Sequence, residues 1–188
     1  KFWLAKPELG LVGSKNVSAL LEGNFIGVKP GNGEHTTEFT ASDWEPITTH
    51  KPRGLNVTLT SHQLGSVRAG NPVLYRQVKV GEVIGVGLSS TADAVNIYLN
   101  ISERFAPLVT ANSQFWNASG ITLDAGLFSG IDIKSESVET LLAGGIAFAT
   151  PPDEAIEQVS QGHQFLLAEE FDEDWLEWRP SIPLNTSP

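Results

Sequence analysis

The run Val95-Asn-Ile-Tyr-Leu-Asn-Ile101 alternates without a break: Val95, Ile97, Leu99 and Ile101 are apolar, and Asn96, Tyr98 and Asn100 lie between them. A period of two sends successive side chains to opposite faces, so one face enters a core and the other meets water. Upstream, Leu55-Asn-Val-Thr-Leu-Thr60 repeats the pattern. Two further apolar runs separate them, Pro72-Val-Leu-Tyr-Arg76 and Val83-Ile-Gly-Val-Gly-Leu88. A turn is expected between those two at Lys79-Val-Gly-Glu82, with Gly81 supplying the bend, and Ser89-Ser-Thr-Ala-Asp93 reads as a polar turn. Short strands at this spacing make an all-β unit, a small barrel or sandwich.

Downstream the pattern changes. Between Gly120 and Gly145, isolated apolar residues (Ile121, Leu123, Leu127, Phe128, Ile131, Ile133) sit among glycines. The second half of this stretch predicts a short helix. Ser137 is a good N-cap, Val138, Leu141 and Leu142 fall on one face, and Gly144 suits the left-handed stop. Ile146-Ala-Phe-Ala149 returns to strand, and Pro151-Pro152 is expected to end the unit. A loop this long inside a compact β unit is unusual and often functional. Its apolar residues either cap the open end of their own barrel or line a surface shared by several copies.

Part of this pattern occurs twice. Phe2-Trp3 recurs as Phe115-Trp116, and Asn16-Val-Ser-Ala-Leu-Leu-Glu-Gly23 recurs as Ser137-Val-Glu-Thr-Leu-Leu-Ala-Gly144, which sets Leu20 and Leu21 beside Leu141 and Leu142. The loop of the first copy is shorter, and Phe39 is a candidate for the position of Phe165. The spacing is that of a whole domain, not a solenoid repeat. The expected organisation is a C-terminal fragment of a preceding domain with its linker over 1–45, a complete domain over 46–152, and an acidic tail or linker over 153–188. Within that tail, Phe165-Leu-Leu and Trp175…Trp178-Arg-Pro read as a further strand or a docking segment.

The net charge of −10 is unevenly placed. From Asp153 to Trp178 acids recur with no Lys or Arg among them, while the rest of the chain is nearly balanced. No basic stripe exists to neutralise phosphates, so nucleic acid is not an expected partner. The sequence has no cysteine, hence neither a disulfide framework nor a thiolate metal site. No run of about 18 apolar residues is present.

Catalytic signatures are missing too. There is no nucleophile elbow, phosphate-binding loop, His-Glu-x-x-His or dinucleotide fingerprint. His35, His50, His62 and His163 are not at metal-ligand spacing, so no metal or cofactor is expected. Arg76, Glu82, Glu103 and Arg104 are candidates for ion pairs on the barrel surface. With no convergent polar set, catalysis is not expected.

Three segments resemble MCE (mammalian cell entry) domains: Gly65-Ser-Val-Arg-Ala-Gly-Asn-Pro-Val-Leu-Tyr-Arg-Gln-Val-Lys-Val-Gly-Glu-Val83, Phe115-Trp-Asn-Ala-Ser-Gly120, and Ser137-Val-Glu-Thr-Leu-Leu-Ala-Gly-Gly-Ile-Ala-Phe148. The resemblance covers Gly54 to Pro152 and, in part, Lys1 to about Pro30. It is strongest to the multi-MCE proteins of Gram-negative bacteria, the paraquat-inducible protein B group and its longer intermembrane lipid-transport relatives. It implies a seven-stranded β-barrel with a long, partly helical, pore-lining loop, preceded by the C-terminal part of another barrel. It further implies homohexameric rings stacked into a periplasmic tunnel, held at the inner membrane by a segment outside this chain. The cargo implied is phospholipid, moved between inner and outer membranes without catalysis. The lining residues would be Val138, Leu141, Leu142, Leu127, Phe128 and Ile131, with Leu20 and Leu21 in the ring before. A different reading is an envelope binding, adhesion or scaffold module, in which the loops grip a protein and no lipid path exists.

Overall fold

The computed structural model describes residues 1–5, 8–10, 13–15, 25–30, 37–42, 46–118, 145–152 and 157–184. The chain divides into two compact units, 1–47 and 48–188. In the smaller unit β1 (Phe2–Ala5) pairs antiparallel with β4 (Phe25–Val28), and β2 (Glu8–Gly10) pairs antiparallel with β3 (Gly13–Lys15). Trp3 also bridges Ser42 in the parallel sense. The Trp3 indole lies against Gly27, where any Cβ would run into the ring.

The larger unit is the closed seven-stranded barrel that the alternation and the resemblance led one to expect. Its strands are β5 (Leu55–Ser61), β6 (Pro72–Tyr75), β7 (Val78–Leu88), β8 (Val95–Ile101), β9 (Gln114–Asn117), β10 (Ile146–Ala149) and β11 (His163–Ala168). Around the barrel they run β10-β6-β7-β8-β5-β11-β9 and back to β10. The alternating residues point inward as predicted: Leu59, Ile97, Leu99 and Ile101 are fully buried. With Phe115, Phe148, Ile146 and the inward valines they fill the interior, so the barrel is a packed core and not a pore. A six-residue 3-10 helix (Glu103–Leu108) links β8 towards β9, and a short α1 (Asp174–Glu177) follows β11.

The repeat is built twice in the same register. On the barrel, Phe115 pairs with Phe148, Trp116 with Ala147 and Asn117 with Ile146. In the smaller unit Phe2 pairs with Val28, Trp3 with Gly27 and Leu4 with Ile26. Phe115 stacks near Phe165 of β11 (4.8 Å between centroids), and Phe2 meets Phe39 likewise (4.2 Å). Ala168 lies parallel to Trp116 as Ser42 does to Trp3.

Four expectations need correction. The barrel does not end at Pro152: of the two readings of Phe165-Leu-Leu, strand or docking segment, the strand holds, and β11 pairs in parallel with both β5 and β9. Phe165 and Leu167 are buried while Gln164 and Leu166 face out, so a short alternation was hidden beside the acid run. The turn between β6 and β7 is not at Gly81. It is made by Arg76 and Gln77, both left-handed (φ 50° and 66°), the geometry a two-residue hairpin requires. Without glycine, each such residue costs about 1–2 kcal/mol. Gly81 instead lies within β7, where a Cβ would strike the backbone of Asn100, so a close strand approach explains it. The proposed charge pairs also rearrange. Glu82 pairs with Lys51, Arg76 reaches the backbone, and Arg104 lies over the Phe105 ring.

The fourth correction is Asn56, placed by alternation on the wet face but only 4% exposed. Its amide donates to Lys51 O (2.8 Å) and Gln161 Oε1 (3.1 Å), and its Oδ1 accepts from Lys51 N (2.9 Å) and Asn100 Nδ2 (3.1 Å). One side chain thus ties the approach to β5, strand β8 and the turn before β11. We predict that Asn56→Ala lowers stability by about 2–3 kcal/mol, since it orphans several partners at once. Urea unfolding measures this, and a loss below about 0.5 kcal/mol would show the network to be dispensable.

Candidate functional site

Strands β5, β7, β9 and β11 run one way and β6, β8 and β10 the other. One end of the barrel therefore carries residues 62–71, the turn 89–94 and the long loop between β9 and β10. The sequence placed its candidate site in that loop. Val138, Leu141, Leu142, Leu127, Phe128 and Ile131 lie outside the described residues, as do Leu20, Leu21 and the expected helix from Ser137 to Gly144. What is described is the root from which the loop springs.

That root is narrow and firmly held. The chain leaves the barrel at Ala118 and returns at Gly145, where Ala118 N donates to Gly145 O (3.0 Å). Both residues are buried. Gly145 sits against Pro72 at the start of β6; a Cβ there would come within 3.0 Å of Pro72 O. Gly65 (φ 60°) brings residues 62–71 close to Asn117, with its Cβ position 3.1 Å from Asn117 Nδ2. Ala118 and Gly145 thus meet at the ends of two paired strands, β9 and β10.

The barrel end that carries residues 62–71 has its own apolar plug. Val67 is fully buried in the core cluster and Leu64 packs against the same cluster. At the opposite end Leu108 and Val109 are buried in the same cluster, and Phe105 and Val159 pack against that cluster. Sequence reasoning missed Val67, whose signal is a single apolar residue in a polar loop.

Among the described residues, polar chemistry at this end is sparse. Hydroxyls of Ser89 (2.6 Å) and Thr91 (2.7 Å) donate to Asp93 and hold its carboxyl below the usual carboxylate range. Exposed His62 and Glu169 face each other at 3.6 Å. Among the described residues the buried polar side chains are Asn56, Asn71, Thr110, Ser113 and Thr150, none of them titratable. Ser113, Thr150 and Leu108 O form a hydrogen-bonded chain at the opposite end (2.9 and 2.6 Å). Among the described residues no three His, Asp or Glu side chains come together. Among them, too, no helix is long and apolar enough to cross a membrane.

After β11 the chain folds back over the barrel wall. Phe171 and Trp175 pack on the outward-facing Trp116 (centroids 5.1 and 5.6 Å), and Trp178 continues the series (6.3 Å from Trp175). This is the docking segment that the tryptophan spacing suggested, and it lies next to the root of the loop.

Residues 53–139 match the family model described as MlaD protein. The chain is 35% identical over 184 residues to the "Lipophilic envelope-spanning tunnel protein B" of Escherichia coli (strain K12), covering 97% of this chain and 21% of that protein. It is 32% identical over 153 residues to a "Probable intermembrane transport protein" of Haemophilus influenzae (strain ATCC 51907 / DSM 11121 / KW20 / Rd), covering 81% of this chain and 17% of that protein. The chain thus spans about a fifth of the length of these curated relatives. It carries an MlaD/MCE domain and is homologous to both proteins.

Proposed function

We propose that this MlaD/MCE domain is a non-enzymatic segment of a periplasmic apolar tunnel that carries phospholipid between the inner and outer membranes. The observation that carries the reading is the filled barrel. With Phe115, Phe148, Ile97 and Leu99 fully buried inside it, no lipid chain has room to pass through a single copy. Any apolar path must run outside the barrel wall, and the apolar loop rooted at Ala118 and Gly145 is the element available to line it. Sheltering an acyl chain from water is worth roughly 0.8 kcal/mol per CH₂, so the lining has to be continuous. A ring of copies, six in this reading, would set Val138, Leu141, Leu142, Leu127, Phe128 and Ile131 around one axis. Stacked rings would lengthen the path, with Leu20 and Leu21 in the preceding one.

The twofold occurrence of the β9–β10 pairing supports stacking. We read residues 1–45 as the last strands of a preceding MCE barrel, because Phe2, Trp3, Val28 and Phe39 reproduce the contacts of Phe115, Trp116, Phe148 and Phe165. The names of the two relatives, a tunnel protein and an intermembrane transport protein, fit lipid passage in the cell envelope.

A photo-crosslinking residue at Leu142 of the full-length protein tests this in cells. A covalently attached phospholipid is the expected product. Attachment to protein alone, equal to that from an outward barrel position such as Gln164, would favour an adhesion or scaffold role.

A further inference from the structure

Arg76 occupies a position that glycine or asparagine would fill more easily. It is left-handed (φ 50°), exposed, and one of two non-glycine residues in the turn between β6 and β7. Its guanidinium reaches across the chain, and Nη2 donates to Trp178 O (2.8 Å). It also lies over the Tyr75 ring (5.9 Å), and Tyr75 packs on Phe148 of β10 (5.0 Å). From the other side, Trp178 leads through Trp175 to Trp116 of β9.

These contacts close a circuit. The segment Phe171–Trp178 is fixed to β9 at one point and to the end of β6 at another, and β10 lies between those strands. It therefore straps the outer wall over the two strands that begin and end the long loop. Trp116 pairs with Ala147 immediately beside the root at Ala118 and Gly145. Closure has an opposing term: the Nε1 donor of Trp116, the ring on which Phe171 and Trp175 pack, is buried with no acceptor among the described residues. An orphaned buried donor disfavours the closed arrangement, so the strap depends on its fastenings.

We infer that Phe171–Trp178 is a positioning strap for the loop, and that Arg76 is the residue that fastens it. The strap holds β9 and β10 in one arrangement and so fixes where the loop enters the lipid path. This rests on the tunnel reading for its functional consequence, though not for the coupling itself.

Arg76→Gly in the full-length protein is the test. Glycine adopts the left-handed turn without strain, so the barrel should keep its fold while the fastening is lost. Peptide-resolved amide exchange should quicken at least about tenfold over Trp116–Ala118 and Gly145–Ala147, with strand 95–101 unchanged. Phospholipid crosslinking at Leu142 should fall in step, and Arg76→Lys, which keeps a donor, should restore part of both. Unchanged exchange at the root overturns the inference, and so does faster exchange across the whole barrel, which would make Arg76 a general stabiliser. If Leu142 of the unaltered protein captures no lipid, the tunnel reading fails, while the exchange comparison still decides whether the strap holds the root.

Discussion

Replacing Leu141 and Leu142 together by asparagine should cut lipid passage through the full-length protein by at least about tenfold and leave the barrel's melting temperature unchanged. Each leucine supplies about 1.5–3 kcal/mol of apolar contact when it meets a hydrocarbon partner. A factor of ten needs only about 1.4 kcal/mol, so two leucines per copy exceed it even with incomplete contact. Asparagine adds groups that must be desolvated whenever an acyl chain passes, which raises the barrier further. The barrel should be indifferent, because its core is built from its strands, with Val67 and Leu64 added from residues 62–71. Two measurements decide the matter together: phospholipid capture by a photo-crosslinker at Val138, and thermal unfolding followed by circular dichroism. Undiminished capture in the variant would remove the leucines from the path. A melting temperature lowered by as much as a core leucine loss would, roughly 2–5 kcal/mol worth, would return them to their own barrel.

How much of this was legible in the sequence depended on the range of the interaction. The strands at Leu55–Ser61 and Val95–Ile101 announced themselves, because alternation is a local signal and the two strands pair with each other residue by residue. The Phe-Trp pair betrayed the repeat for the same reason, and its structural copy at Phe2-Trp3 keeps even the pairing register. Strand β11 was harder to place. Its partners are the distant β5 and β9, and Phe165 and Leu167 give only two inward residues beside the acidic run from Glu169 to Glu177. A charge-weighted reading sees that run first and takes the region for a solvated tail. The turn at Arg76-Gln77 was invisible because its residues are not turn formers. What holds Arg76 there is a bond to Trp178, which no local rule anticipates. Asn56 reads as solvent-facing until Gln161 covers it. For the candidate lining residues the sequence supplied a pattern of apolar spacing and a family resemblance, and the described residues supply the root on which that loop stands.

Phe148→Ala should be strongly destabilising, costing about 3–5 kcal/mol out of the 5–15 kcal/mol typical of a domain. Phe148 is 1% exposed and is central to a file of rings that crosses four strands. It lies 5.0 Å from Tyr75 of β6 and 5.0 Å from Phe115 of β9, which in turn lies 4.8 Å from Phe165 of β11. Truncation removes the ring contacts and leaves a hole that neighbours on rigid strands cannot collapse to fill. Denaturant unfolding gives the size of the loss. The same variant then separates two routes for lipid. The cavity would be walled at one end by Val67 and Leu64 and at the other by Leu108 and Val109, so it opens no passage. Lipid capture at Leu142 should therefore fall only in proportion to the unfolded fraction, and cooling should restore it. If capture by fully folded Phe148→Ala protein differed from that of the unaltered protein, the barrel interior itself would have to lie on the path, and a route confined to the loops could not stand.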